Sequence, residues 1–92
     1  MAMTKGEYRV GIAFNPSADD KVAKIKRAAA DLMDLIDTIP LPDWPDELSH
    51  DEEIRISAQE DEVLRLKALA QTAIEEGAMW AVKAATKPLM EG

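Results

Sequence analysis

Two stretches of the chain place apolar residues at alternating spacings of three and four. In the first, Val22, Ile25, Ala29, Leu32, Ile36 and Ile39 follow one another at 3, 4, 3, 4 and 3, with Ala28, Met33 and Leu35 broadening the line. In the second, Val63, Leu66, Ala70, Ala73, Gly77, Trp80 and Ala84 follow at 3, 4, 3, 4, 3 and 4. Each is a heptad seam, the signature of a helix that buries one stripe against a neighbour. The second seam turns to small residues from Ala70 on, and Trp80 stands three residues after Gly77. A helix side chain leans back over the preceding turn, so the indole is expected over that glycine. Leu69, Ile74, Ala81 and Val82 lie off the line, which makes the apolar surface wider than one partner helix covers.

The boundaries follow from caps and prolines. Residues 1–16 form an arm in which Tyr8, Val10, Ile12 and Phe14 alternate with Arg9, Gly11 and Ala13. A period of two suggests a strand, but a lone strand is unstable, so the arm is either extended against helices or a short helical turn. Ser17 is a suitable N-cap with Asp20 three residues on. Helix 1 is therefore placed at residues 17–39, stopped by Pro40. Residues 40–56 read as an acidic linker containing Pro40, Pro42, Trp44 and Pro45. Ser49 and Ser57 each begin a capping-box pattern, with Glu52 and Glu60 three residues on, and both remain open as the start of helix 2. That helix is placed at 57–87, with Pro88 beyond it. The expected fold is all-α: one domain, a two-helix antiparallel hairpin with an N-terminal arm. Two helices cannot enclose a core for a 92-residue chain that is 47% hydrophobic, so the hairpin is expected to assemble into a homo-oligomeric bundle.

Charge changes the picture. The net value of −7 is unevenly spread: residues 1–30 carry six basic side chains against three acids, whereas residues 31–64 carry Arg55 against twelve acids. DNA binding needs a broad basic surface and is not expected. The absence of cysteine removes disulfides and thiolate metal sites. No apolar run approaches a membrane span or a signal peptide, so a cytoplasmic protein that does not enter a membrane is expected.

Catalytic signals are missing. The single histidine, His50, stands in the acidic linker, and no nucleophile–base pair, metal-ligand motif or glycine-rich phosphate loop is present. Asp31, Asp34 and Asp37 recur every three residues without other ligand types, a charged outer face rather than a metal site. No enzyme, cofactor or metal is expected. Lys26 follows the seam residue Ile25, so its stem can lie on apolar surface with the ammonium at the edge. An aromatic of the arm folded back beside it, Tyr8 with its neighbour Arg9 or Phe14, would set a stacking plane next to a phosphate-binding cation, a pairing that suits a nucleotide. Phe14 can equally staple the first turn of helix 1. Lys83 and Thr86 either furnish a second polar pocket or cap the end of helix 2.

The Asn15-Pro16-Ser17 helix start resembles one small phage family, as do Val22-Ala23-Lys24-Ile25-Lys26, Arg65-Leu66-Lys67-Ala68-Leu69-Ala70 and Met79-Trp80-Ala81-Val82-Lys83-Ala84-Ala85-Thr86. These are the anti-CBASS cyclic-oligonucleotide sponges of the second type, whose helical-hairpin domain is shared with some anti-Thoeris sponges. The resemblance covers about two-thirds of the chain. It implies a homo-oligomer, a hexamer, that binds cyclic dinucleotides such as 3′,3′-cyclic GMP–AMP without cleaving them, in the cytoplasm of the infected bacterium. It further implies cyclic trinucleotides at separate sites. By the family pattern, Lys26 and an N-terminal aromatic, Tyr8 or Phe14, hold the dinucleotide between two protomers, and Lys83 and Thr86 belong to a trinucleotide pocket. Other functions compatible with the residues are a helical protein-interaction module, antitoxin-like or adaptor, and a messenger-cleaving phosphodiesterase, which the shortage of histidines disfavours.

Overall fold

A computed structural model describes residues 2–90. It contains three helices: α1 (Lys5–Val10), α2 (Asp20–Asp37) and α3 (His50–Ala85). The arm is thus a short helix, the second of its two expected forms. Thr4 and Glu7 make a reciprocal capping box: Thr4 Oγ1 accepts from the Glu7 amide at 3.0 Å and Glu7 Oε1 from the Thr4 amide at 2.9 Å. Gly11 closes α1 at φ +63°, a left-handed cap in which glycine carries no Cβ penalty.

The start of α2 differs from the expected one. The Ser17 hydroxyl is engaged with Asn15 Oδ1 at 2.8 Å, and Ala18 sits at φ +52°, outside the helical region. The cap passes to Asp19, whose carboxylate accepts from the Lys21 amide at 2.8 Å. At the other end α2 stops at Asp37, two residues before Ile39, because Pro40 disfavours helical backbone in the residue before it. Lys67 Nζ caps that end, donating to the carbonyls of Ile39 at 2.8 Å and Asp37 at 3.3 Å.

Helix α3 starts early. Ser49 is its N-cap, accepting from the Glu52 amide at 3.2 Å, and Asp51, Glu52 and Glu53 complement the positive end of the dipole. Ser57 is an interior residue, so the linker shrinks from 40–56 to the stretch between Asp37 and His50.

The most buried lines share Val22 and Ala70 with the heptad lines but are otherwise displaced from them by one residue in both helices. In α2 the buried residues are Val22, Lys26, Ala30 and Met33, whereas Leu32 and Ile39 are exposed. In α3 Lys67, Ala70, Ile74, Ala78, Ala81 and Ala85 are half-buried and Gln71 is buried, whereas Leu66, Ala73, Gly77, Trp80 and Ala84 are exposed. One residue is about 100° of helix rotation. Close approach and hydrogen bonding set the interface, not the hydropathy stripe. An added Cβ on Gly6 would lie 2.3 Å from Ala30 O, so α1 rests directly on the α2 backbone. Gln71 Nε2 donates to Met33 O at 3.1 Å and to Asp37 Oδ1 at 3.3 Å, while Gln71 Oε1 accepts from Lys5 Nζ at 3.0 Å. Gly77 is not covered by Trp80: nothing lies within 4 Å of a Cβ built there.

The protomer measures 69 × 35 × 13 Å with a radius of gyration of 18.7 Å, against about 12 Å for a compact domain of this length. Contacts at Lys67 and Gln71 fix the end of α2 alongside the middle of α3. The first half of α3, residues 50–66, therefore runs past α2. The linker folds back on it, with Trp44 Nε1 donating to Glu60 Oε2 at 2.7 Å. No helix among the described residues is long and apolar enough to cross a membrane.

Candidate functional site

Helix α1 lies across the hairpin, held by polar contacts to both long helices. Asp34 Oδ1 accepts from the Gly6 amide at 2.8 Å, and Arg27 Nη1 reaches Glu7 Oε2 at 2.8 Å. The Arg27 hydrogen bond holds the Glu7 carboxyl below its usual range, assisted by the Thr4 amide, and the same contact raises the Arg27 guanidinium. The Gln71 amide, followed by the Lys5 ammonium, lowers Asp37. Asp31 pairs with Arg27 at 2.8 Å. Asp31, Asp34 and Asp37 are thus occupied within the protomer, and no group of metal-ligating side chains forms among the described residues.

Where α1 meets the end of α3, a cleft of about 450 Å³ opens, within the size range of small-molecule sites. Arg9, Val10, Lys26, Glu75, Met79, Val82, Lys83 and Thr86 line it. Arg9 is fixed in place: Nε donates to Glu75 Oε1 at 2.9 Å and Nη2 to Thr72 Oγ1 at 3.5 Å. Lys26 is only 8% exposed. Its Nζ donates to Gly11 O at 3.0 Å and to Phe14 O, hooking the turn after α1 back onto α2. An ammonium has three N–H donors, so one remains. Among the described residues no carboxylate pairs with Lys26, and the cleft carries three cations against the single carboxylate of Glu75.

Four of the six residues singled out from sequence, Arg9, Lys26, Lys83 and Thr86, line this one cleft. Phe14 lines an adjoining recess of about 220 Å³ with Lys26, Val82 and Thr86. Its ring centroid is 5.4 Å from Lys26 Nζ. Tyr8 is separated from them. It is 78% exposed on α1, and none of the described clefts includes it. The aromatic beside Lys26 within the protomer is therefore Phe14, because the left-handed Gly11 turns the chain back at that point. Lys83 Nζ stands 5.5 Å from the Trp80 ring, and the Thr86 hydroxyl donates to Val82 O at 2.8 Å, the capping arrangement weighed from sequence. His50 opens α3 at the far end from the cleft. Sequence reading missed Glu75 and Thr72, the partners that aim Arg9; a glutamate within Glu75-Glu76 carries no local signal of a contact 66 residues away.

No curated protein and no solved structure matches the chain. One family model does, described as Acb2/Tad1, hairpin domain, over residues 6–86. It spans all of α2 and α3 and most of α1, and corresponds to the anti-CBASS and anti-Thoeris sponge hairpins that both long helices resemble in sequence. The chain belongs to the Acb2/Tad1 hairpin family.

Proposed function

We propose that the protein is a phage sponge that binds cyclic dinucleotides, and cyclic trinucleotides at separate sites, and sequesters them intact from CBASS-type signalling in the bacterial cytoplasm. The observation that carries this reading is the cleft in which Arg9, Lys26 and Lys83 face one carboxylate. The remaining donor of Lys26 binds a phosphate oxygen, and Phe14 offers its ring at the edge of the same site. Tyr8, exposed and outside the cleft, stacks on a base presented by a second protomer of a homo-oligomer, six-fold in this reading. No step of bond cleavage is assigned to any residue.

Isothermal titration with 3′,3′-cyclic GMP–AMP and with a cyclic trinucleotide, followed by recovery of the ligand after heat denaturation, is the test. A charge-assisted hydrogen bond contributes about 1.5–3 kcal/mol. Lys26→Met, which keeps the stem, should weaken dinucleotide binding roughly ten- to a hundred-fold at unchanged helicity. Phe14→Ala and Tyr8→Ala should each cost about 1–3 kcal/mol if the ring stacks. Cleaved ligand would make the protein an enzyme, and no binding across the panel would favour the adaptor. Light scattering should give a six-fold multiple of 10.1 kDa.

A further inference from the structure

The first half of α3 and the linker folded back on it form an open groove of about 470 Å³, whose walls include Trp44, His50, Glu53, Ile54, Ala58 and Asp61. We propose that this groove docks a basic amphipathic helix of another protein, with apolar side chains between Trp44 and Ile54 and lysines or arginines against Glu53 and Asp61. The inference is independent of the nucleotide reading. About 20 Å of helix rise separates Asp61 from Glu75, the first α3 residue of the cleft.

Three observations select the occupant. The first is an apolar surface open to solvent: Trp44 is 48% and Ile54 55% exposed. Its wall is preset. Pro42 and Pro45 fix φ on either side of Asp43 and Trp44, and the indole N–H is tied to Glu60 Oε2 at 2.7 Å. A ligand meets that wall with little ordering left to do. The second is charge. Residues 43–62 carry nine acids against Arg55 and His50. Among the described residues only Glu62 of the nine enters an ion pair, with Arg65. Elsewhere on the surface Asp20 pairs with Lys24 and Asp31 with Arg27. Unpaired charge of one sign attracts a positive partner and repels nucleic acids, nucleotides and anionic membranes. The carboxylates do not converge into a metal-ligating group among the described residues, which favours an extended cation over a single ion. The third is length. His50 and Asp61 lie about 17 Å apart along α3, three turns, the footprint of a short helix laid in a groove.

Isothermal titration of the full protein with a synthetic helix of about four turns, leucine on one face and lysine on the other, is the test. Saturable binding is expected, and raised salt should weaken it. Ile54→Gln, at an exposed position, should weaken it several-fold. Glu53→Lys combined with Asp61→Lys should weaken it about ten-fold. Oligolysine of equal charge, and the same peptide with glutamine for lysine, should each bind more weakly by about ten-fold or more. Absence of binding, equal binding of either control peptide, or unchanged affinity of the variants overturns the proposal. Ile54→Gln alone decides if the double variant loses helicity. A change of oligomeric size in a double variant of parental helicity, read by light scattering, would give the groove to a second copy and also overturns the proposal.

Discussion

Gly6→Ala is the sharpest test of how α1 is held. The new methyl would lie 2.3 Å from Ala30 O, 3.0 Å from Ala30 C and 2.7 Å from Asp34 Oδ1. A helix carbonyl cannot swing aside, so either the core is overpacked, at about 1–3 kcal/mol, or α1 lifts. Lifting breaks the 2.8 Å bond from the Gly6 amide to the Asp34 carboxylate, worth about 1.5–3 kcal/mol. The chain takes the cheaper route. Alanine returns about 1 kcal/mol through helix propensity, leaving a net loss of up to about 2 kcal/mol. At about 4–8 °C per kcal/mol for a domain of this size, the melting midpoint should fall by up to about 16 °C. Thermal unfolding followed by circular dichroism at equal protomer concentration measures it, since self-association would make the midpoint concentration-dependent. A Gly6→Ala protein that melts above the parental temperature refutes the direct seating of α1 on α2. If α1 lifts, Arg9 and Val10 leave the cleft with it, and the proposed dinucleotide affinity should fall as well.

Gln71→Leu should lower stability by about 1–2 kcal/mol in urea titration, because the buried amide bridges Met33 O, Asp37 and Lys5; equal midpoints would remove it from the α1 clamp. Ser49→Ala should cost about 1 kcal/mol locally and raise amide exchange at residues 50–53, whereas Ser57→Ala should change neither; matched behaviour of the two would mean that Ser49 is not the cap. Asp37 and Glu7 have lowered folded-state pKa values, so the stability they confer is complete above their unfolded values of about 3.9 and 4.3 and is lost as pH falls through the depressed ones. The parent should therefore lose midpoint between pH 5 and pH 3 more steeply than an Asp37→Asn, Glu7→Gln double variant, and parallel profiles would contradict this.

The two long helices were legible because both seams are long and Pro40 and Pro88 punctuate them. Their facing sides were not. Hydropathy favours Leu32 and Leu66, yet the interface runs through Lys26, Ala30 and Gln71, whose value lies in hydrogen bonds and small size. Thr4 and Glu7 carry the same capping signature as Ser49 and Glu52 and could have identified α1, but the alternation from Tyr8 to Phe14 competed with it. Ser17 lost the α2 cap to Asp19 through a side-chain bond to Asn15 that sequence spacing does not rank. In the cleft, Lys26 is singled out by its place beside the seam together with the family resemblance, and as a ligand contact it stays a proposal. Its carbonyl partners Gly11 and Phe14 depend on a left-handed turn, and Glu75 on a contact between distant segments.

The fold-back of the linker leaves the two tryptophans in unlike surroundings. Trp44 gives its indole N–H to Glu60, in the first half of α3, and Trp80 stands by Lys83, one of the residues that line the cleft. Glu60 and Trp80 are separated by about 30 Å of helix rise. These are the two tryptophans of the chain, so Trp44→Phe leaves one emitter beside the cleft residue Lys83 and Trp80→Phe leaves one at the linker. Intrinsic fluorescence then becomes two independent channels. Ligand entry should move the emission of the first variant, and unfastening of the linker that of the second, in a protein carrying no dye.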